Sequence, residues 1–151
     1  MKRYGIALLL GCIIISSCTK NMVSKIPRIS FVAFIPKDSM IVNIDTTWLE
    51  FKLTDGDGDI GNDTISVIHV KDIRTDTMSE TTFPFPDIDA TVEDPKKGLT
   101  GVCIFSPGMP APRADANHQA NGDTLYYEVY ITDRAHNESN HIVTNKFVVR
   151  N

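Results

Sequence analysis

Four aspartates fall within nine residues in the run Asp55-Gly56-Asp57-Gly58-Asp59-Ile60-Gly61-Asn62-Asp63. Carboxylates at alternate positions supply oxygen ligands to a hard divalent cation, and the interleaved glycines let the backbone turn tightly around it. Without a cation, charges spaced so closely repel one another. The run therefore nominates Asp55, Asp57, Asp59 and Asp63 as metal ligands, with calcium as the expected ion. An affinity in the range of extracellular modules, Kd about 10⁻⁴ to 10⁻³ M, is expected. The plain alternative is a solvated Asp-Gly turn joining two strands.

Little else in the chain points to chemistry. The four histidines (His69, His118, His136 and His141) are scattered and lack zinc-finger or metalloprotease spacing. His69 lies in an apolar run and is expected to pack there. No nucleophile elbow or phosphate-cradling loop is present, so no enzyme activity is expected. The 151 residues carry 15 Lys+Arg against 19 Asp+Glu, a net charge of −4. That balance argues against a nucleic-acid partner, and a 42% hydrophobic content excludes a wholly disordered chain.

The N-terminus carries an address. Lys2 and Arg3 precede an apolar run, Ile6 to Ile15, and the small residues Ser16 and Ser17 lead to Cys18. This is the pattern of a secretory signal, too short to span a bilayer comfortably. Ile15-Ser16-Ser17-Cys18 resembles the bacterial lipobox, which implies cleavage before Cys18 and acylation of that cysteine. Residues 1–17 then form a lipoprotein signal peptide, and residues 18–28 a lipidated cysteine and tether. The membrane becomes a partner through the N-terminal lipid. A multi-acyl anchor is stable, since each buried methylene contributes roughly 0.8 kcal/mol. Loss of Lys2 and Arg3 leaves 13 basic residues against 19 acidic ones, a mature charge of −6. With Cys12 removed and Cys18 acylated, Cys103 has no disulfide partner and is expected to pack as a small core hydrophobe. The resemblance to bacterial lipoproteins implies that Thr19 is not an inner-membrane retention signal, so an outer-membrane anchor is expected. The tether lacks the acidic cluster that marks surface export in similar lipoproteins, and the membrane face is left open.

Residues 29–151 read as an all-β domain. Strand candidates are Ile29 to Ile35, Met40 to Thr54, Ile65 to Ile73, an edge-like Met78 to Phe83, Val102 to Phe105, Thr124 to Thr132 and His141 to Arg150. About seven strands in this length point to a single antiparallel sandwich. Residues 83–112 hold six of the eight prolines, so little regular ladder is expected to cross them. Asp123, Leu125, Tyr127 and Val129 occupy successive second positions. They resemble the tyrosine corner of immunoglobulin-like domains, which places Asp123 at the start of the penultimate strand. In that fold the loop at Asp55–Asp63 and the run Asp133-Arg134-Ala135-His136-Asn137-Glu138-Ser139-Asn140 lie at one end. Asp133 and Asn137, with Glu138 as a further oxygen source, then join the candidate ligands.

The aspartate spacing resembles calcium loops of the Asp-x-Asp-x-Asp type. It departs from an EF-hand at Ile60, where glycine is normal, and at Ser66, where a bidentate glutamate is normal. The lipobox, the acidic loop and the closing Tyr-Glu-Val-Tyr-Ile-Thr-Asp-Arg-Ala-x-Asn-x-Ser-Asn run are together similar to small lipoproteins of Bacteroidota with an immunoglobulin-like or fibronectin-like domain. His136 stands where such loops carry glycine. Five Asp-Ser/Thr tripeptides, centred on Ser39, Thr46, Thr64, Thr77 and Thr124, are similar to the O-glycosylation motif of that group's envelope proteins. An Asp turn opening a β-branched strand writes the same pattern. The expectation is a lipid-anchored, non-catalytic envelope module with a structural or adhesive role toward an envelope protein or glycan. The alternative is an accessory lipoprotein that captures a glycan or other nutrient.

Overall fold

A computed structural model describes residues 24–41, 44–61, 64–74, 80–86, 98–106 and 123–150. The signal segment, Cys18, Asp63, Thr77, His118 and most of the Pro-rich stretch lie outside the described residues.

The alternation of apolar and polar residues sets the strands. In β3 (Trp48–Asp55), Leu49, Phe51 and Leu53 are buried while Trp48 and Lys52 are exposed. That period of two fits a strand with one face in the core. Flanking β3 are β1 (Arg28–Ile35) and β6 (Leu99–Phe105), giving an antiparallel sheet of order β1-β3-β6. The facing sheet has the order β5-β4-β8-β9, from Glu80–Pro84, Val67–Asp72, Tyr127–Thr132 and Ile142–Val143. A third group, β2 (Ser39–Ile41), β10 (Phe147–Arg150) and β7 (Asp123–Leu125), continues this second layer, because only Tyr126 separates β7 from β8. β2 runs parallel to β10, and the other pairings are antiparallel.

The two layers close on one core. Ile29, Leu49, Phe51, Leu53 and Cys103 from the first meet Ile68, Val70, Leu125, Val129, Ile131, Phe147 and Val149 from the second. Phe34 and Phe147 stand 4.6 Å apart, centroid to centroid, across the gap, and Phe83 meets Phe105 at 5.9 Å. Fully burying one such side chain contributes about 1.5–3 kcal/mol. Burial pushes the Cys103 thiol up to about 12, as suits a core hydrophobe rather than a reactive group. The described chain is an all-β sandwich, with no helix among the described residues.

The strand count differs from the sequence expectation for a physical reason. Three continuous runs are each interrupted, so ten strands stand among the described residues where about seven are expected. The break between β9 and β10 is spanned by Thr144. Its N–H donates to the Tyr127 carbonyl (2.9 Å), and its hydroxyl accepts the Tyr127 N–H (3.0 Å). Ser139 treats Ile131 the same way: its N–H donates to the Ile131 carbonyl, and its Oγ accepts the Ile131 N–H, both at 3.0 Å. A hydroxyl thus replaces a missing ladder acceptor, and the buried N–H stays satisfied. β6 also starts earlier than expected, pairing Leu99 with Asp55, because Gly101 dilutes the apolar pattern there.

Candidate functional site

The acidic loop leaves the end of β3 and folds back on itself. Asp55 closes the strand and is fully buried, whereas Asp57 and Asp59 are half-buried. The Asp59 N–H donates to Asp55 Oδ2 (3.0 Å), and Gly58 and Gly61 take positive φ (67° and 82°) to complete the turn. Ile60 is buried in the core beneath them. This accounts for the departure from the EF-hand pattern: the sixth residue anchors the loop to the sandwich rather than turning around an ion. Gly98, just before β6, lies against the loop, and a Cβ there would stand 2.6 Å from the Asp55 carbonyl oxygen.

Asp55, Asp57 and Asp59 each bring a carboxylate oxygen to within 4.8 Å of the others. The Oδ1 atoms of all three are shielded from solvent and have no hydrogen-bond partner. Burial is the main cause that pushes the Asp55 carboxyl up to about 6, with repulsion from Asp57, Asp59 and Asp133 added. Asp59 is raised for the same reasons, burial first and then Asp133 and Asp57. Three shielded, unpartnered carboxylate oxygens are costly unless a cation or a proton joins them. An all-oxygen donor set suits a hard ion such as calcium.

The second loop arrives as the fold predicts. Asp133 is fully buried at the end of β8, close enough to act electrostatically on both Asp55 and Asp59. Its oxygens accept the Asn137 N–H (2.7 Å) and the Asn137 side-chain amide (2.8 Å). Arg134 donates its backbone N–H and its Nε to the Asp59 carbonyl at 3.1 and 2.9 Å, tying the two loops together. His136 has φ 64°, the left-handed conformation that glycine adopts more readily. Asn140 reaches across to β1: its Oδ1 accepts the Ile29 N–H, and its Nδ2 donates to the Ile29 carbonyl, each at 2.9 Å. Asp133 and Asn137 therefore stand beside the triad as a bonded pair. Glu138 points elsewhere, to His141 (2.7 Å).

The outer face of the second sheet holds a cluster that sequence reasoning missed. His69, Tyr130 and His141 come from separate elements and stack, ring on ring, at 4.1 and 4.3 Å with interplanar angles of 6° and 2°. His69 contacts Glu80 (2.6 Å) and Thr132 (3.0 Å), while His141 lies between Glu128 (2.6 Å) and Glu138 (2.7 Å). The Tyr130 hydroxyl donates to Glu80 (3.0 Å), and Lys71 sits 5.0 Å from the ring centroid. The pairing register that sets His69 opposite Tyr130 leaves no short-range mark in the sequence.

Of the candidate modification positions, Thr46, Thr64 and Thr124 are exposed, and Ser39 is half-buried in β2. Three of the aspartates before them have structural partners. Asp45 accepts the Ile41 N–H (3.0 Å), Asp123 accepts the Thr124 N–H (2.7 Å), and the Asp38 carbonyl accepts the Val148 N–H (2.9 Å). No family model matches the chain, and no curated protein matches it.

Proposed function

We propose that this protein is a lipid-anchored, non-catalytic module of the bacterial envelope, held rigid at one end by calcium and serving a structural or adhesive role. The observation that supports this reading is the close set of carboxylates on Asp55, Asp57 and Asp59, each of which has a shielded Oδ1 without a hydrogen-bond partner. These three residues would hold the ion, and Asp133 adds negative charge beside them. Calcium supplies positive charge to a cluster that otherwise repels itself. Because the three oxygens are shielded from solvent, the set suits an ion that stiffens the fold more than one that bridges to a ligand.

The anchor follows from Cys18 and its preceding signal. The described chain begins at Ser24, at the same end of the sandwich as the acidic loop, since the Gly56 N–H donates to the Ser24 carbonyl (2.8 Å). The stretch from Cys18 to Ser24 reaches at most about 20 Å. An outer-membrane anchor at Cys18 thus keeps the acidic end of the module close to the bilayer.

Thermal unfolding with and without the ion tests the reading. Millimolar calcium should raise the midpoint of the wild type and leave Asp57→Ala unmoved. An unchanged wild-type midpoint removes the calcium role.

A further inference from the structure

The acidic loop touches the point at which the chain joins the sandwich. Gly56, the residue between Asp55 and Asp57, donates its N–H to the Ser24 carbonyl at 2.8 Å. Lys25 Nζ lies 3.5 Å from Asp57 Oδ2, although its side chain is 77% exposed. Pro27 is fully buried, and Arg28 opens β1 opposite Thr54. The same loop meets Gly98 just before β6 and Arg134 beyond β8. Three separate parts of the chain thus converge on the residues that carry the unpartnered oxygens.

That convergence has a mechanical consequence. Carboxylates of one sign push Asp55, Asp57 and Asp59 apart, and the peptide of Gly56 lies between the first two. An ion drawing Asp55 and Asp57 together fixes that peptide, and with it the acceptor on Ser24. Lys25 is too exposed to do this alone, because a surface ion pair is weak and is screened by salt. Local openings of this kind are set by the few contacts that hold a segment, so a single bound ion can shift them strongly.

We propose that a cation held by Asp55, Asp57 and Asp59 clamps residues 24–27 onto the sandwich through the Gly56–Ser24 hydrogen bond, making the membrane-proximal joint stiff when the ion is bound. This rests on the calcium reading above and adds the regulation of that site: calcium sets the stiffness of the joint between anchor and domain.

The experiment is amide hydrogen exchange on the full-length protein in detergent, with calcium chloride or with chelator, beside calorimetric measurement of calcium binding. The Gly56 amide reports the clamp. The Val148 amide, which donates to Asp38 at the opposite end, reports global stability. Calcium should slow Gly56 exchange about tenfold more than Val148 exchange, and Asp57→Asn should abolish that difference. Trypsin cleavage after Lys25 should slow in parallel. Calcium binding with equal slowing at both amides, or with none, overturns the clamp while leaving the calcium site standing. Absence of calcium binding overturns the calcium reading itself.

Discussion

Asp55 and Asp133 are both fully buried at one end of the sandwich, and the charge on Asp133 adds to the burial that lifts the Asp55 carboxyl to about 6. They come from the ends of β3 and β8, which lie in opposite sheets. Two acids brought together from different layers, with Asp57 and Asp59 close by, make a strongly negative pole in a protein of modest net charge.

A pH dependence follows for the ion-free protein. Between the ordinary carboxylate range and about 6, the folded chain retains a proton on Asp55 that the unfolded chain has lost. Stability therefore falls as pH rises through that window and stays lower above it, by on the order of 2 kcal/mol. Urea unfolding at pH 4.5 and pH 7.5 in chelator should show the higher stability at the lower pH. Calcium should narrow the gap, because it stabilises the ionised cluster at pH 7.5 and must displace that proton at pH 4.5.

His141 titrates in the other half of the range. Hydrogen bonds to Glu138 and Glu128 raise it above its ordinary 6.5, so its contribution is complete below 6.5 and is lost as pH rises through the raised value. An NMR titration of the His141 ring should give a midpoint above 6.5. Glu138→Gln should lower it, and more than Glu128→Gln does.

Thr144 and Ser139 carry the interrupted last strand. Thr144→Val removes the acceptor of the buried Tyr127 N–H while keeping the side-chain shape. The cost should be about 1–3 kcal/mol in chemical denaturation, and Thr144→Ser should restore most of it. Ser139→Ala should behave like Thr144→Val through Ile131.

Two backbone positions should respond in opposite directions. Gly98→Ala places a Cβ against the Asp55 carbonyl at a φ of 68°, so it should destabilise the domain by about 2 kcal/mol or more and weaken calcium binding. His136→Gly relieves a positive φ and should be stabilising by up to about 1 kcal/mol. Equilibrium unfolding of the two variants checks both signs.

The anchor is tested by fractionation. Wild-type protein should remain with membranes, and Cys18→Ala should release it. Retention of Cys18→Ala would contradict lipidation at that residue.

The acidic loop was legible because its signal is local: aspartate and glycine alternate within a few residues, and the strands around it alternate with period two. The approach of Asp133 was legible through fold type, since the alternation of Leu125, Tyr127, Val129 and Ile131 located the strand that ends beside it. The roles of Asn140, Ser139 and Thr144 were not legible. Asn140 bonds Ile29 across 111 residues, and such a pairing has no periodicity to read. Ile60 was visible only as a departure from a calcium-loop pattern, and its burial shows why the departure exists. The ring stack of His69, Tyr130 and His141 needed strand register, which one-residue shifts would have destroyed.

Isothermal calorimetry of calcium added to chelator-treated protein at pH 7.5 tests the central claim most directly. Wild type should bind with Kd about 10⁻⁴ to 10⁻³ M, and a tenfold excess over Kd should add about 1.4 kcal/mol of stability. Asp57→Asn and Asp59→Asn should each abolish the binding heat while the fold persists. No calcium-dependent heat from folded wild-type protein at millimolar calcium would contradict the account.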